Sequence, residues 1–152
     1  MMQKLNLPSY SFNFKNTKNK TLIFDKFRKK YVVLTPEEWV RQHVAYFLHE
    51  EKKYPISLIS IEKQLLINNL KKRTDIIIFN AFGNPEIMVE CKAPTIKITQ
   101  KTFDQIARYN LKIKANYLFV TNGLDHFYCQ MDFENETYIF LKELPDFIKK
   151  TL

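Results

Sequence analysis

Asp75-Ile76-Ile77-Ile78-Phe79-Asn80-Ala81-Phe82-Gly83-Asn84-Pro85-Glu86-Ile87-Met88-Val89-Glu90-Cys91-Lys92 is the stretch on which the reading of this chain turns. Ile76 to Phe79 is an unbroken apolar run, as expected of a strand covered on both faces. Gly83-Asn84-Pro85 supplies a turn. Ile87-Met88-Val89 opens a second strand, which runs through Glu90-Cys91-Lys92 and ends at Ala93-Pro94. Residues i and i+2 of a strand share a face, so Glu90 and Lys92 point one way and Cys91 the other. An antiparallel hairpin centred near Phe82-Gly83 sets Asp75 opposite or diagonal to Glu90, with Cβ atoms ~5–8 Å apart. Two carboxylates and an ammonium at the ends of apolar strands are costly to bury alone and need partners or a metal.

Downstream, Thr99 to about Lys114 reads as a helix with Phe103, Ile106, Ala107, Asn110 and Ile113 near one stripe. Tyr117 to Val120 is another buried-type strand, closed by Thr121-Asn122-Gly123. His126 to Phe133 and Thr137 to Leu141 pair as a hairpin, and Pro145 to Lys150 reads as a short closing helix. Upstream, Ser57 to Ile67 reads as a strand and Asn68 to Arg73 as a basic turn. Thr35-Pro36-Glu37-Glu38 starts a helix: Thr caps, Pro suits the first position, and acids favour the positive end of the dipole. Thr35 and Glu38 have capping-box spacing, and Val40, Val44, Phe47 and Leu48 follow at helical spacing before Pro55. Residues 9–34 read as an opening β-ribbon in which Tyr10, Phe12 and Phe14 alternate with polar residues. Within it, Lys26-Phe27-Arg28-Lys29-Lys30 suits either a phosphate-tracking surface or a solvated, protected strand edge. Strands and helices intermix in one short chain, which predicts an α/β or α+β class with a mixed sheet.

The chain of 152 residues, 45% apolar and 26% charged, is one domain's worth of sequence with an ordinary globular balance. That excludes a wholly disordered chain, and two Gly exclude a collagen-like one. No apolar run nears the ~20 residues needed to span a bilayer, and the start lacks the pattern of a secretory leader. Two Cys build no disulfide framework, so the expectation is a reducing compartment, the cytoplasm, with no membrane partner. A net charge of +8 favours polyanionic partners, nucleic acid first. A Gly-rich phosphate loop and a nucleophile elbow are absent, and His43, His49 and His126 lack zinc-pair spacing. Cys91, between apolar strand neighbours, reads as a core thiol.

The chemistry concentrates in Asp75, Glu90 and Lys92. Two converging carboxylates offer oxygen ligands to a hard cation, Mg²⁺ or Mn²⁺, which completes its shell with water and substrate phosphate. A lysine beside them can orient or deprotonate a water, or neutralise charge developing on phosphorus. The implied reaction is metal-assisted phosphodiester hydrolysis. Ten Glu and twenty Lys give about one E-x-K by chance, and the chain has three. Glu50-x-Lys52 and Glu51-x-Lys53 fall at a helix end, where Lys is favoured anyway. Only Glu90-x-Lys92 lies on an apolar strand with an Asp delivered beside it.

Asp75 followed after fourteen residues by Glu90-Cys91-Lys92 resembles the PD-(D/E)xK nuclease motif, with Thr74 in place of the leading Pro. Gln105-Ile106-Ala107-Arg108-Tyr109 resembles the Q-x-x-x-Y motif of RecB-like nucleases and of the N-terminal nuclease domain of type I restriction enzyme R subunits. Leu34-Thr35-Pro36-Glu37-Glu38-Trp39-Val40-Arg41-Gln42 and Glu90-Cys91-Lys92-Ala93-Pro94 are similar to small stand-alone proteins grouped with that domain. The resemblance implies a restriction-endonuclease-like α-β-β-β-α-β core over 36–121. An N-terminal β-ribbon (1–34) and a C-terminal hairpin with a short helix (126–152) would complete a single domain. It implies Mg²⁺ (or Mn²⁺) held by Asp75, Glu90 and the Cys91 backbone carbonyl, with Lys92 acting on the water or the transition-state charge. Gln105 and Tyr109 would position Lys92 or the nucleic-acid strand. An acid on the first helix assists the metal in many members; Glu38 is the candidate, with a helix-capping role as its equal alternative. The implied partner is DNA. A full R subunit carries an ATP-driven translocase that this sequence does not hold, so sequence choice or motor function would fall to a protein partner. Many relatives act as homodimers, though this sequence carries no dimer signature. The alternatives to a nuclease are a non-cleaving nucleic-acid-binding module and an accessory subunit of a larger DNA-processing complex.

Overall fold

In the computed structural model, which describes residues 2–67 and 69–148, the Asp75–Lys92 hairpin lies inside a six-stranded sheet. Three short strands come first, β1 (Phe14–Thr17), β2 (Lys20–Asp25) and β3 (Lys30–Val33), paired antiparallel as a separate sheet. Helix α1 (Pro36–Glu50) follows, then β4 (Ile59–Ile61), β5 (Gln64–Ile67), β6 (Leu70–Arg73), β7 (Ile76–Phe79) and β8 (Pro85–Cys91). Helix α2 (Gln100–Ile113) crosses to β9 (Tyr117–Thr121), and β10 (His126–Asp132) and β11 (Thr137–Leu141) close the chain's regular structure. The large sheet runs β11-β10-β9-β8-β7-β4, parallel only between β8 and β9. This is a mixed α/β fold. Among the described residues no helix is long and apolar enough to cross a membrane.

The apolar run of β7 is explained by a helix on each face. Ile76, Ile78, Ile87, Val89 and Phe119 pack with Val40, Val44, Ala45 and Leu48 of α1. Ile77, Met88, Leu118 and Val120 pack with Phe103, Ala107 and Ile113 of α2. Alternation along each strand divides these residues between the two layers. Each helix has a side-chain cap: Thr35 accepts from the Glu38 N–H at 3.0 Å, and Thr99 from the Thr102 N–H at 3.2 Å. Asn110, fully buried, satisfies the end of α2 by bonding both the N–H and the carbonyl of Ala115. Cys91 and Cys129 are buried free thiols, as expected of Cys91.

Four expectations need correction. The strand expected over 57–67 begins with a 3₁₀ turn at Ile56–Leu58 and breaks at Glu62-Lys63. The basic segment read as a turn is strand β6, with Asn68 outside the described residues. Tyr10 and Phe12 alternate against an aromatic surface of Trp39, His43 and Tyr46 on α1 rather than along a strand ladder. Residues 145–148 form no helix, because the segment takes its partners from the end of α1 instead. The Phe147 N–H donates to the Lys52 carbonyl, Lys52 Nζ to the Leu144 carbonyl and the Tyr54 hydroxyl to the Pro145 carbonyl. The remainder of that expected helix lies outside the described residues.

Candidate functional site

The β7–β8 register pairs Ile76 with Val89 and Ile77 with Met88, which places Asp75 across from Glu90 as the hairpin reading expected. One Asp75 oxygen accepts from Arg41 Nη2 on α1 at 2.8 Å, and the other from the Cys91 backbone N–H at 2.8 Å. The Asp75 backbone carbonyl is held by the Glu62 N–H at 2.8 Å. β9 anchors the end of β8 through the Lys92 N–H, which donates to the Thr121 carbonyl at 2.8 Å.

Burial and the adjacent Asp75 carboxylate push the Glu90 carboxyl up to about 9, while Lys92 pulls it down. Loss of solvation acts first on Glu90, and the neighbouring Asp75 charge adds to it. Glu37, in the first turn of α1, belongs to the same cluster. Partial burial and Asp75 raise its carboxyl, and Arg41 and Lys92 oppose them. From the other face, α2 delivers Tyr109, whose hydroxyl is buried without a hydrogen-bond partner. Burial and then Glu90 raise that hydroxyl above its ordinary value. Gln105, one turn earlier on α2, stays exposed.

Glu38 is placed differently from the candidate role given to it. Its carboxylate accepts from Arg28 Nη2 at 2.7 Å, Arg41 Nη1 at 2.8 Å and Gln42 Nε2 at 3.2 Å. It therefore neutralises guanidinium groups, and it does not return to the Thr35 N–H as a capping box requires. The helix acid beside Asp75 is Glu37. Two cations of the basic ribbon segment are taken up by acids: Arg28 also binds Asp25, and Lys26 pairs with Glu50 and lies 4.0 Å from the Tyr46 ring centroid, while Lys29 and Lys30 are exposed. Arg41 and Glu37 were missed because i,i+3 and i,i+4 spacing reads as ordinary helix-surface pairing. Nothing local signals a reach from position 41 to position 75.

Among the described residues no three of His, Cys, Asp and Glu are gathered as a metal cage. The hard donors are the carboxyls of Asp75 and Glu90. The Cys91 N–H meets Asp75, and a strand residue sends its N–H and C=O to the same side, so the Cys91 carbonyl is a third oxygen that could complete the set. An oxygen-only set with so few protein ligands fits Mg²⁺, which takes one or two carboxylates and keeps several waters. Burial and Asp75 raise the Glu90 carboxyl, and a divalent cation beside it would favour its ionised form. A concavity of about 680 Å³ between Tyr54, Phe79, Phe82, Tyr117 and Phe147 opens at the other end of β7. It does not include the acid cluster.

Residues 36–145 match the family described as type I restriction enzyme R protein N terminus (HSDR_N). The fold is similar to a fragment described as an HsdR subunit of a type I restriction enzyme from Vibrio vulnificus YJ016, with a TM-score of 0.53 and 18% identity. That similarity covers 74% of this chain and 24% of the other, and at this identity it concerns the fold alone. No match is found among the curated proteins.

Proposed function

The chain belongs to the family of the type I restriction enzyme R protein N terminus, and on that premise we propose that it is a Mg²⁺-dependent nuclease that hydrolyses phosphodiester bonds in DNA. The observation that carries the reading is the gathering of Asp75, Glu90 and Lys92 at one end of the β7–β8 hairpin, with Glu90 buried beside Asp75. Asp75, Glu90 and the Cys91 carbonyl would hold the metal. When bound, Mg²⁺ (or Mn²⁺) would polarise the phosphate and acidify a coordinated water. Arg41 and the Cys91 N–H fix the Asp75 carboxylate in place. Burial and Asp75 hold the Glu90 carboxyl toward its protonated form, and to hold a metal it would have to be deprotonated. Lys92, on the same strand face as Glu90, would orient the attacking water or stabilise negative charge on phosphorus as the P–O bond breaks. The Tyr109 hydroxyl, unpartnered beside Glu90, is positioned to donate to that carboxylate once ionised or to a substrate oxygen. The chain matches about a quarter of the HsdR relative's length. We assign motor function and sequence choice to protein partners within a restriction-complex context.

One observation favours a second reading, a module that binds nucleic acid without cutting it. Arg41 already neutralises Asp75, leaving that carboxylate less need of a metal. The two separate in a plasmid assay. With Mg²⁺ or Mn²⁺ the nuclease nicks or cuts DNA, and Lys92→Ala lowers the rate by about 10²–10⁴-fold at an unchanged melting temperature. Metal-independent DNA retardation without cleavage, equal in wild type and Lys92→Ala, would establish the module instead.

A further inference from the structure

Strands β5 and β6 belong to neither larger sheet, yet they continue the β4–β7 ladder in unbroken register, Ile61 opposite Ile76 and Gln64 opposite Arg73. The bend between the two parts lies at the candidate site. There Glu62 takes φ +52, its N–H donates to the Asp75 carbonyl, and the Thr74 N–H donates to the Lys63 carbonyl. Beyond the bend the ribbon extends for four residue pairs, ~13 Å of strand. Residues 63–73 contain four cations, Lys63, Lys71, Lys72 and Arg73, and no acid. All four are exposed. Lys63 lies over the Phe79 ring, and Arg73 makes a long 3.8 Å pair with Glu62. Lys71 and Lys72 have no ion pair among the described residues. Leu65 packs against the α2-side core at the ribbon's base, whereas Leu66 is 69% exposed.

Like charges grouped on so thin an element repel one another, and a polyanion relieves that repulsion. A two-stranded ribbon also has the width that the major groove of a duplex admits. By alternation Lys71 and Arg73 face one side of the ribbon and Lys72 the other, so cations are offered to both walls of a groove. We propose that the β5–β6 ribbon is a nucleic-acid arm. It enters the groove of a duplex beside the scissile bond, Lys71 and Arg73 meeting phosphates of one strand and Lys72 those of the other. This rests on the nuclease reading of Asp75, Glu90 and Lys92, and it makes the arm rather than the N-terminal sheet the surface that grips substrate.

The test is binding in EDTA to a short fluorescent DNA duplex and to its isolated strand, over a range of salt. The full-length triple variant Lys71→Ala/Lys72→Ala/Arg73→Ala is compared with wild type and with a charge-matched control, Lys18→Ala/Lys20→Ala/Lys30→Ala, on the N-terminal sheet. Melting temperatures check that each variant is folded. The expected result is about tenfold weaker duplex binding for the arm variant, with the slope of log affinity against log salt reduced by about 2–3. The control keeps the wild-type slope. An unchanged slope in the arm variant, an equal loss in the control, or wild-type preference for the isolated strand overturns the arm. If wild type cuts DNA with Mg²⁺ while the arm variant binds normally, the arm alone fails. If wild type neither binds nor cuts, the nuclease reading fails with it.

Discussion

Arg41 donates to Asp75 through one nitrogen and to Glu38 through another, with Glu37 and Glu62 within ion-pair distance of the same guanidinium. Its side chain is only 8% exposed, that of Glu38 6% and that of Asp75 13%. Truncating one member of a buried charge network leaves its partners desolvated and unpaired. Arg41→Ala should therefore cost about 3–5 kcal/mol of stability, read as a lowered denaturant midpoint. Asp75→Asn in the same chain should recover part of that loss, because one of the stranded charges is gone. A variant that unfolds at the wild-type denaturant concentration would show that the network contributes little. Spacing could offer Glu38 as the helix acid but could not distinguish it from Glu37, since both fall in the first turn. The choice depends on which of the two meets Arg28, and Arg28 arrives from a different sheet.

Helix α1 is gripped from outside by the N-terminal segment, and His43 lies in that contact. Its ring packs among Phe12, Trp39 and Tyr10, and its Nδ1–H donates to the Trp39 carbonyl at 2.9 Å. Burial lowers its pKa below the ordinary 6.5, although the bond to Trp39 works against the shift. The folded protein thus prefers neutral His43. That preference contributes stability fully above about 6.5, and it is lost as pH falls through the lowered folded value. Stability should accordingly drop below about pH 6.5 more steeply in wild type than in His43→Phe, measured as denaturant midpoints from pH 7.5 down to 5. Parallel curves for the two proteins would remove His43 from the account. The helix itself was readable from Thr35-Pro36-Glu37-Glu38 and the apolar spacing behind it. Its outer aromatic coat was not, because Tyr10 and Phe12 carry strand-like alternation without a neighbouring strand to pair with.

Across the whole molecule, two helices clamp one sheet, and the acid cluster forms where the bend in the β4–β7 ladder, the end of β8 and the first turn of α1 meet. A cation bound only by the folded chain stabilises it by mass action, about 2.7 kcal/mol at a hundred times its dissociation constant. Mg²⁺ or Mn²⁺ should raise the melting temperature of wild type and leave that of Asp75→Ala and Glu90→Ala unmoved; an equal rise in all three would place the ion elsewhere. The β7–β8 hairpin, its register and its two-faced burial were legible in the amino-acid order. Turn position and period-two alternation are local, and one register slip would turn every side chain to the wrong face. The pairing of Arg41 with Asp75, the choice of Glu37 over Glu38, the delivery of Tyr109 but not Gln105, and the departure of the basic ribbon from the sheet were decided only in three dimensions. Each depends on how helices cross the sheet and where a ladder bends, and those are set by packing between segments far apart in the chain.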